Sequence, residues 1–109
     1  MLHRKVSLYV PSTHNVGEPL PAGKHEELVD EVASQFSRAF GGATATNGEG
    51  FYTAENGELI REHVTIVTSY HGLETADALA VVIPIARVIK FRYKQKSIAI
   101  ETEQGIDFI

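Results

Sequence analysis

Cysteine is absent from the chain, which excludes disulfides, iron–sulfur clusters and thiol nucleophiles and fits a reducing compartment. No stretch approaches the ~18 apolar residues that cross a bilayer. Met1-Leu2-His3-Arg4-Lys5 leads straight into a strand pattern, with none of the apolar core of a secretion signal. The expectation is a soluble, unprocessed, cytoplasmic protein without a membrane partner. Basic charge is also scarce: 10 Lys and Arg against 14 Asp and Glu give a net charge of -4, so no global attraction to phosphate backbones exists and nucleic acid is not an expected partner. Gly48-Glu49-Gly50 lacks the glycine spacing, the Lys-Ser/Thr pair and the following helix of a phosphate loop. No His-x-x-x-His, His-x-His or Glu-x-x-His pair occurs, and no Ser-His-Asp arrangement is identifiable, so neither a metal nor another cofactor is expected.

What is present suits one compact domain spanning residues 1–109: the chain is 43% apolar and long enough for a single core. Lys5 to Val10 alternates, with Val6, Leu8 and Val10 on one face and Lys5, Ser7 and Tyr9 on the other, the period of a half-buried strand. Pro11 ends it. Residues 12–23 hold Gly17, Pro19, Pro21 and Gly23 and predict an irregular loop. From Lys24 the period becomes helical, with Leu28, Val29, Val32, Ala33, Phe36 and Phe40 on one side, until Gly41-Gly42 supplies a left-handed stop. Two strands follow, about Ala43 to Thr53 and Glu58 to Tyr70, joined at Glu55-Asn56-Gly57, where Asn-Gly predicts a type I′ turn. Gly48 and Gly50 predict either a bulge or the close approach of another group. Glu74 to Gln95 reads as a second helix, kinked or restarted at Pro84, with a basic end formed by Lys90, Arg92, Lys94 and Lys96. Ser97 to Glu101 is a strand, and a turn at Glu103-Gln104-Gly105 returns the chain as a short strand from Ile106 to Ile109.

The order βαββαβ, with one extra terminal β, defines an α+β ferredoxin-like sandwich: an antiparallel sheet with two helices on one face and its first and third strands central. The other face has no helix to cover it and is the natural place for a ligand, a partner or water. Leu8-Tyr9-Val10-Pro11, Phe40-Gly41-Gly42-Ala43-Thr44, Gly48-Glu49-Gly50-Phe51 and Asn56-Gly57, with Glu62 and Tyr70 downstream, resemble small uncharacterised bacterial proteins of ferredoxin-like fold. The likeness covers residues 5 to 71. It implies the fold and brings no established activity or catalytic residues.

Glu62 is the most unusual position, because alternation places it on one strand face with Val64, Ile66 and Tyr70, while Arg61, His63, Thr65 and Val67 point the other way. A carboxylate among apolar neighbours has a raised pKa and suits a general acid or base; the structural alternative is a rim carboxylate that reaches water. Thr13, His14 and Asn15, with Thr44, Thr46, Tyr52 and Tyr70, are candidates to bind a small polar ligand, against the alternative that Thr13 to Asn15 bond their own turn. His3, His14, His25, His63 and His71 are expected mostly at the surface, and a metal site would require His14 and His71 to meet. Tyr9, Phe51, Thr65 and Val67, with Tyr52, are expected on the uncovered sheet face as a homodimer interface. The functional expectation is a non-catalytic binding or regulatory module that recognises a protein or small polar ligand. The alternative is an enzyme acting on a small metabolite or nucleotide with Glu62 as acid or base.

Overall fold

The computed structural model describes residues 1–15 and 17–109. β1 (Arg4–Pro11) leads through the two-residue strands β2 (Thr13–His14) and β3 (Glu18–Pro19) into α1 (Lys24–Phe40). β4 (Thr44–Thr53), β5 (Leu59–His71), α2 (Thr75–Arg92), β6 (Ala99–Thr102) and β7 (Gly105–Phe108) complete the chain. The main sheet is antiparallel throughout, in the order β4-β5-β1-β6-β7, with both helices on one face. This is the expected α+β ferredoxin-like layout, extended at one edge by β7. The irregular loop is corrected in part, since Thr13 and His14 pair with Pro19 and Glu18 in a small ladder of their own.

Local chemistry accounts for the boundaries. α1 ends at Gly41, whose φ of 93° only glycine adopts without strain and whose N–H reaches Ser37 O at 2.8 Å. α2 runs unbroken through Pro84, which excludes a restart there and leaves the alternative of one helix containing the proline. The β4–β5 turn is not type I′. Gly57 alone has positive φ, at 85°, its N–H bonds to Ala54 O at 2.9 Å, and Ala54 N bonds to Glu58 O at 2.9 Å. That geometry is a three-residue loop closed by a glycine in the left-handed region, with Asn56 Oδ1 accepting the Glu58 N–H instead of adopting positive φ itself. The β4–β5 register is continuous from Thr44↔Thr68 to Thr53↔Leu59, so Gly48 and Gly50 make no bulge.

The core joins Val6, Leu8 and Val10 of β1 to Leu28, Val32 and Phe36 of α1 and to Ala78, Val82, Ala86 and Ile89 of α2. Directly opposed residues of an antiparallel pair share a face. Leu8 opposes Val67 and Val10 opposes Thr65, so the odd-numbered residues of β5 lie under the helices. Three interface expectations therefore fail: Val67 is fully buried in the core, Thr65 is 4% exposed, and Phe51, opposite Arg61, takes the helix-side parity with the Arg61 guanidinium over its ring. Thr65 Oγ1 lies 2.7 Å from His25 Nε2 and 3.2 Å from Asn47 Oδ1, while His25 Nδ1 donates to Pro11 O at 2.9 Å. His25 thus clamps the end of β1 to β5 and is no surface histidine.

His71 is also buried, packed 5.2 Å from the Phe40 ring. It sits opposite Arg4, at the end of β1 away from His14, so the two imidazoles do not meet.

Thr65→Val keeps the side-chain volume and removes the hydroxyl, leaving His25 Nε2 and Asn47 unpaired. The expected loss of unfolding free energy is about 1–3 kcal/mol, read by urea denaturation. A change within about 0.5 kcal/mol would place Thr65 at the surface instead.

Candidate functional site

The face turned away from the helices carries the even-numbered residues of β5, with Tyr9 opposite Ile66 and Gly50 opposite Glu62. At the Pro11 end of this face a cleft of about 500 Å³ opens, within the roughly 300–1,000 Å³ of small-molecule sites. Every strand of the main sheet contributes to it. β4 brings Gly50 and Tyr52, β5 brings Glu62 and Val64, β1 brings Tyr9, and β6 and β7 bring Ala99 and Phe108. Asn15 and the segment Gln95 to Ile98 form its rim.

Three hydrogen bonds to backbone carbonyls hold that rim. Asn15 N donates to Tyr93 O at 2.8 Å, and Gln95 Nε2 donates to Thr13 O at 2.7 Å and Tyr93 O at 3.0 Å. Asn15 itself has φ 56°, a conformation that asparagine tolerates better than most residues. Gly50 shapes the floor, with Gly48 two residues along the same strand face. A Cβ on Gly50 would meet only Glu62 O, at 3.8 Å, so the glycines leave open space beside Val64 and Glu62 where a side chain would otherwise stand. The second reading of these glycines, room for another group, is thus the one the geometry accommodates.

Glu62 is half-buried, with Tyr52 diagonally across from it on the same face. Partial desolvation of the Tyr52 phenol, followed by the negative charge of Glu62 and hydrogen bonding to it, raises the Tyr52 pKa above the ordinary 10.0. Tyr9 donates to Glu101 Oε1 at 2.9 Å, and its pKa is raised first by burial and then by that bond and the Glu101 charge. Lys5 Nζ lies 3.8 Å from the other oxygen of Glu101. Both phenols therefore remain neutral hydrogen-bond donors at neutral pH, beside an apolar floor and one carboxylate not held in an ion pair among the described residues.

Of the expected site residues, the fold brings together Glu62, Tyr52, Asn15, Tyr9 and Phe51. Thr13 is buried, with its backbone used in the rim, and His14 turns to Glu18 at 3.7 Å. Thr44, Thr46 and Tyr70 stand on the same sheet face toward its other end, about 26 Å of strand separating Tyr70 from Glu62. Phe108, Ala99 and Lys96 were not among the candidates. The alternation of the terminal strand, which puts Ile106 and Phe108 on one face, was the available signal.

The fold and cleft define a small α+β domain with a small-molecule-sized site on its helix-free face. No family model matches the chain, and no curated protein matches it. Among solved structures, a phage SAM lyase in complex with S-methyl-5'-thioadenosine is 21% identical, with a TM-score of 0.72 over 97% of this chain and 88% of that one. A phage SAM lyase in the apo state is 22% identical, with a TM-score of 0.73 over 99% of this chain and 89% of that one. The likeness is one of fold. The resemblance drawn from residues 5 to 71 holds at that level. These neighbours overturn the non-catalytic module expected from the sequence. That expectation rested on the absence of a recognisable catalytic constellation, and the same layout serves an enzyme.

Glu62→Gln removes the charge that disfavours the Tyr52 phenolate, so the Tyr52 pKa is expected to fall toward 10.0 while the contribution of desolvation remains. An ultraviolet titration of tyrosinate absorbance, with Tyr52→Phe identifying the transition, checks this. An unchanged Tyr52 transition would separate the two side chains. The sign for stability follows: a raised folded pKa stabilises below pH 10, and that contribution is lost as pH rises through the raised value.

Proposed function

We propose that the chain is an enzyme that cleaves S-adenosylmethionine, releasing S-methyl-5'-thioadenosine, in the cleft around Glu62. The observation that carries this reading is the convergence of a lone half-buried carboxylate, two neutral phenols and an exposed Phe108 on the helix-free face. The fold shared with a SAM lyase, seen once with that nucleoside bound, supports it.

The chemistry of such a substrate matches the lining. A sulfonium and an α-ammonium are cations, and Glu62 offers the anion to face them in a partly desolvated site, where the attraction exceeds its value in bulk water. The aromatic side chains Phe108, Tyr9 and Tyr52 offer ring faces to an adenine and to the sulfonium, by stacking and by cation–π attraction. Cleavage of the bond from sulfur to the amino-acid side chain sends its electron pair to sulfur, which leaves as a neutral thioether. The four-carbon fragment then balances its charge by closing on its own carboxylate oxygen or by giving a proton to Glu62. No water is consumed in either course. An apolar floor that keeps water from the reacting carbon favours such a lyase over a hydrolase.

Incubating the protein with S-adenosylmethionine is expected to yield S-methyl-5'-thioadenosine, followed by chromatography and mass spectrometry. Glu62→Gln is expected to reduce kcat/KM by about 100-fold or more with the circular dichroism spectrum unchanged. Phe108→Ala is expected to act mainly by raising KM. A folded wild-type protein that leaves S-adenosylmethionine intact overturns the proposal.

A further inference from the structure

The two helices differ on the side away from the sheet. α1 presents Glu26, Glu27, Asp30, Ser34 and Arg38 to solvent, as a helix covering one face of a core should. α2 does not. From Ala78 to Ala86 it has no charged residue, and its buried stripe of Ala78, Val82, Ala86 and Ile89 accounts for only one side. Ala76, Ala80, Pro84, Val88 and Phe91 form a second apolar stripe in the open, with Val88 52% and Phe91 89% exposed. A groove of about 250 Å³ between α1 and α2, lined in part by Pro84, Ile85 and Val88, runs beside it. Contiguous apolar surface of this kind is characteristic of a covered face.

Charge at the two ends of the stripe indicates what covers it. Glu74 and Asp77 stand at its start, and Arg87 and Lys90 near its end. Among the described residues, Asp77, Arg87 and Lys90 take part in no ion pair, and Glu74 has only Arg4, at 3.5 Å. We propose that α2 packs against α2 of a second copy of this chain, antiparallel, about a two-fold axis near Ala80 to Pro84. In that arrangement the acidic first turn of each helix lies level with the basic last turns of the other, and the opposed helix dipoles also attract. The small side chains Ala76 and Ala80 let the two backbones approach closely. Phe91 and Leu73, which is 41% exposed, come level at the two outer ends. The association buries the helix stripe and leaves the Glu62 cleft, on the opposite side of the sheet, open.

Sedimentation equilibrium tests this. The wild-type chain is expected at twice its 12.0 kDa mass at concentrations of about 100 μM, since a single helix pair lies at the small end of stable interfaces. Phe91→Ser is expected to give monomer with an unchanged circular dichroism spectrum. Asp77→Arg makes both ends of the stripe basic and Arg87→Glu makes the last turns more acidic, so each variant alone is expected to dissociate at least tenfold more readily. Mixed in equal amounts, the two are expected to recover dimer, because a basic stripe then meets an acidic one. A wild-type monomer at about 1 mM overturns the proposal. So does an oligomer insensitive to Phe91→Ser and to both charge reversals, or a monomer that instead retains nucleic acid through its basic helix end.

Discussion

The pairing of β1 with β5 is the constraint from which the rest follows. Leu8 opposite Val67 and Val10 opposite Thr65 place one alternate set of β5 beneath the helices and the other on the open face. A slip of one residue would exchange the two sets, carrying Glu62 toward the helices and Val67 into solvent. Apolar packing alone specifies this register weakly, since both sets of β5 contain valine and other moderately apolar residues. Polar contacts complete it. Ser7 and Thr68 share a hydroxyl bond of 2.7 Å, Ser69 donates to Gly42 O at 2.6 Å, Ser12 donates to His63 O at 2.6 Å, and His25 joins Pro11 to Thr65. Each fixes β5 lengthwise, a direction in which side-chain burial is nearly indifferent.

That lengthwise fixing matters most where the carboxylate stands. Glu62 sits one residue from His63, whose carbonyl receives the Ser12 hydroxyl, and three from Thr65, so the strand that carries it is tied on the helix side just behind the cleft. On the cleft side the neighbouring strand offers glycines where side chains would shield the carboxylate. Glu62 is therefore tied through its neighbours in the strand, half-buried, and turned to the cleft. A carboxylate in this position meets any occupant of the cleft against Val64 and aromatic rings, where attraction to a cation is weakly screened.

The sequence was most legible where one signal acted alone. α1 shows a single apolar face, polar outer residues and a glycine stop, and its bounds follow from those. β1 alternates without ambiguity. The terminal hairpin followed from Gly105 and the alternation around it. β5 was harder, because its two faces differ little in apolarity. Their parity was evident, but which set faced the helices depended on a partner register that local pattern does not encode, and this is why Thr65 and Val67 were placed outside. His25 eluded the reading for a related reason: its partners Pro11 and Thr65 are 14 and 40 residues away. Asn56-Gly57 correctly marked a turn, but the choice between two-residue and three-residue loops depended on where the Ala54–Glu58 bonds closed. Glu62 stood out as a carboxylate among apolar neighbours, Tyr52 as a hydroxyl near it and Asn15 as an amide in a loop, and the three do line one cleft, while Phe108 looked like an ordinary member of an edge strand.

A ferredoxin-like sandwich has more surface to hide than two helices can cover, and this chain treats its two remaining surfaces differently. The sheet's open face mixes apolar residues with Lys5, Glu62 and Glu101, so its apolar area is broken by groups that need water or a polar ligand. A flat protein partner would desolvate those groups without pairing all of them, whereas a small molecule with its own charges can satisfy them one by one. The outer stripe of α2 has the opposite composition: no charge along its middle and opposite charges at its ends, a pattern that a copy of itself satisfies with no polar group left unpaired at the centre. The two surfaces thus suit occupants of different chemistry. Because the two lie on opposite sides of one sheet, filling either leaves the other accessible.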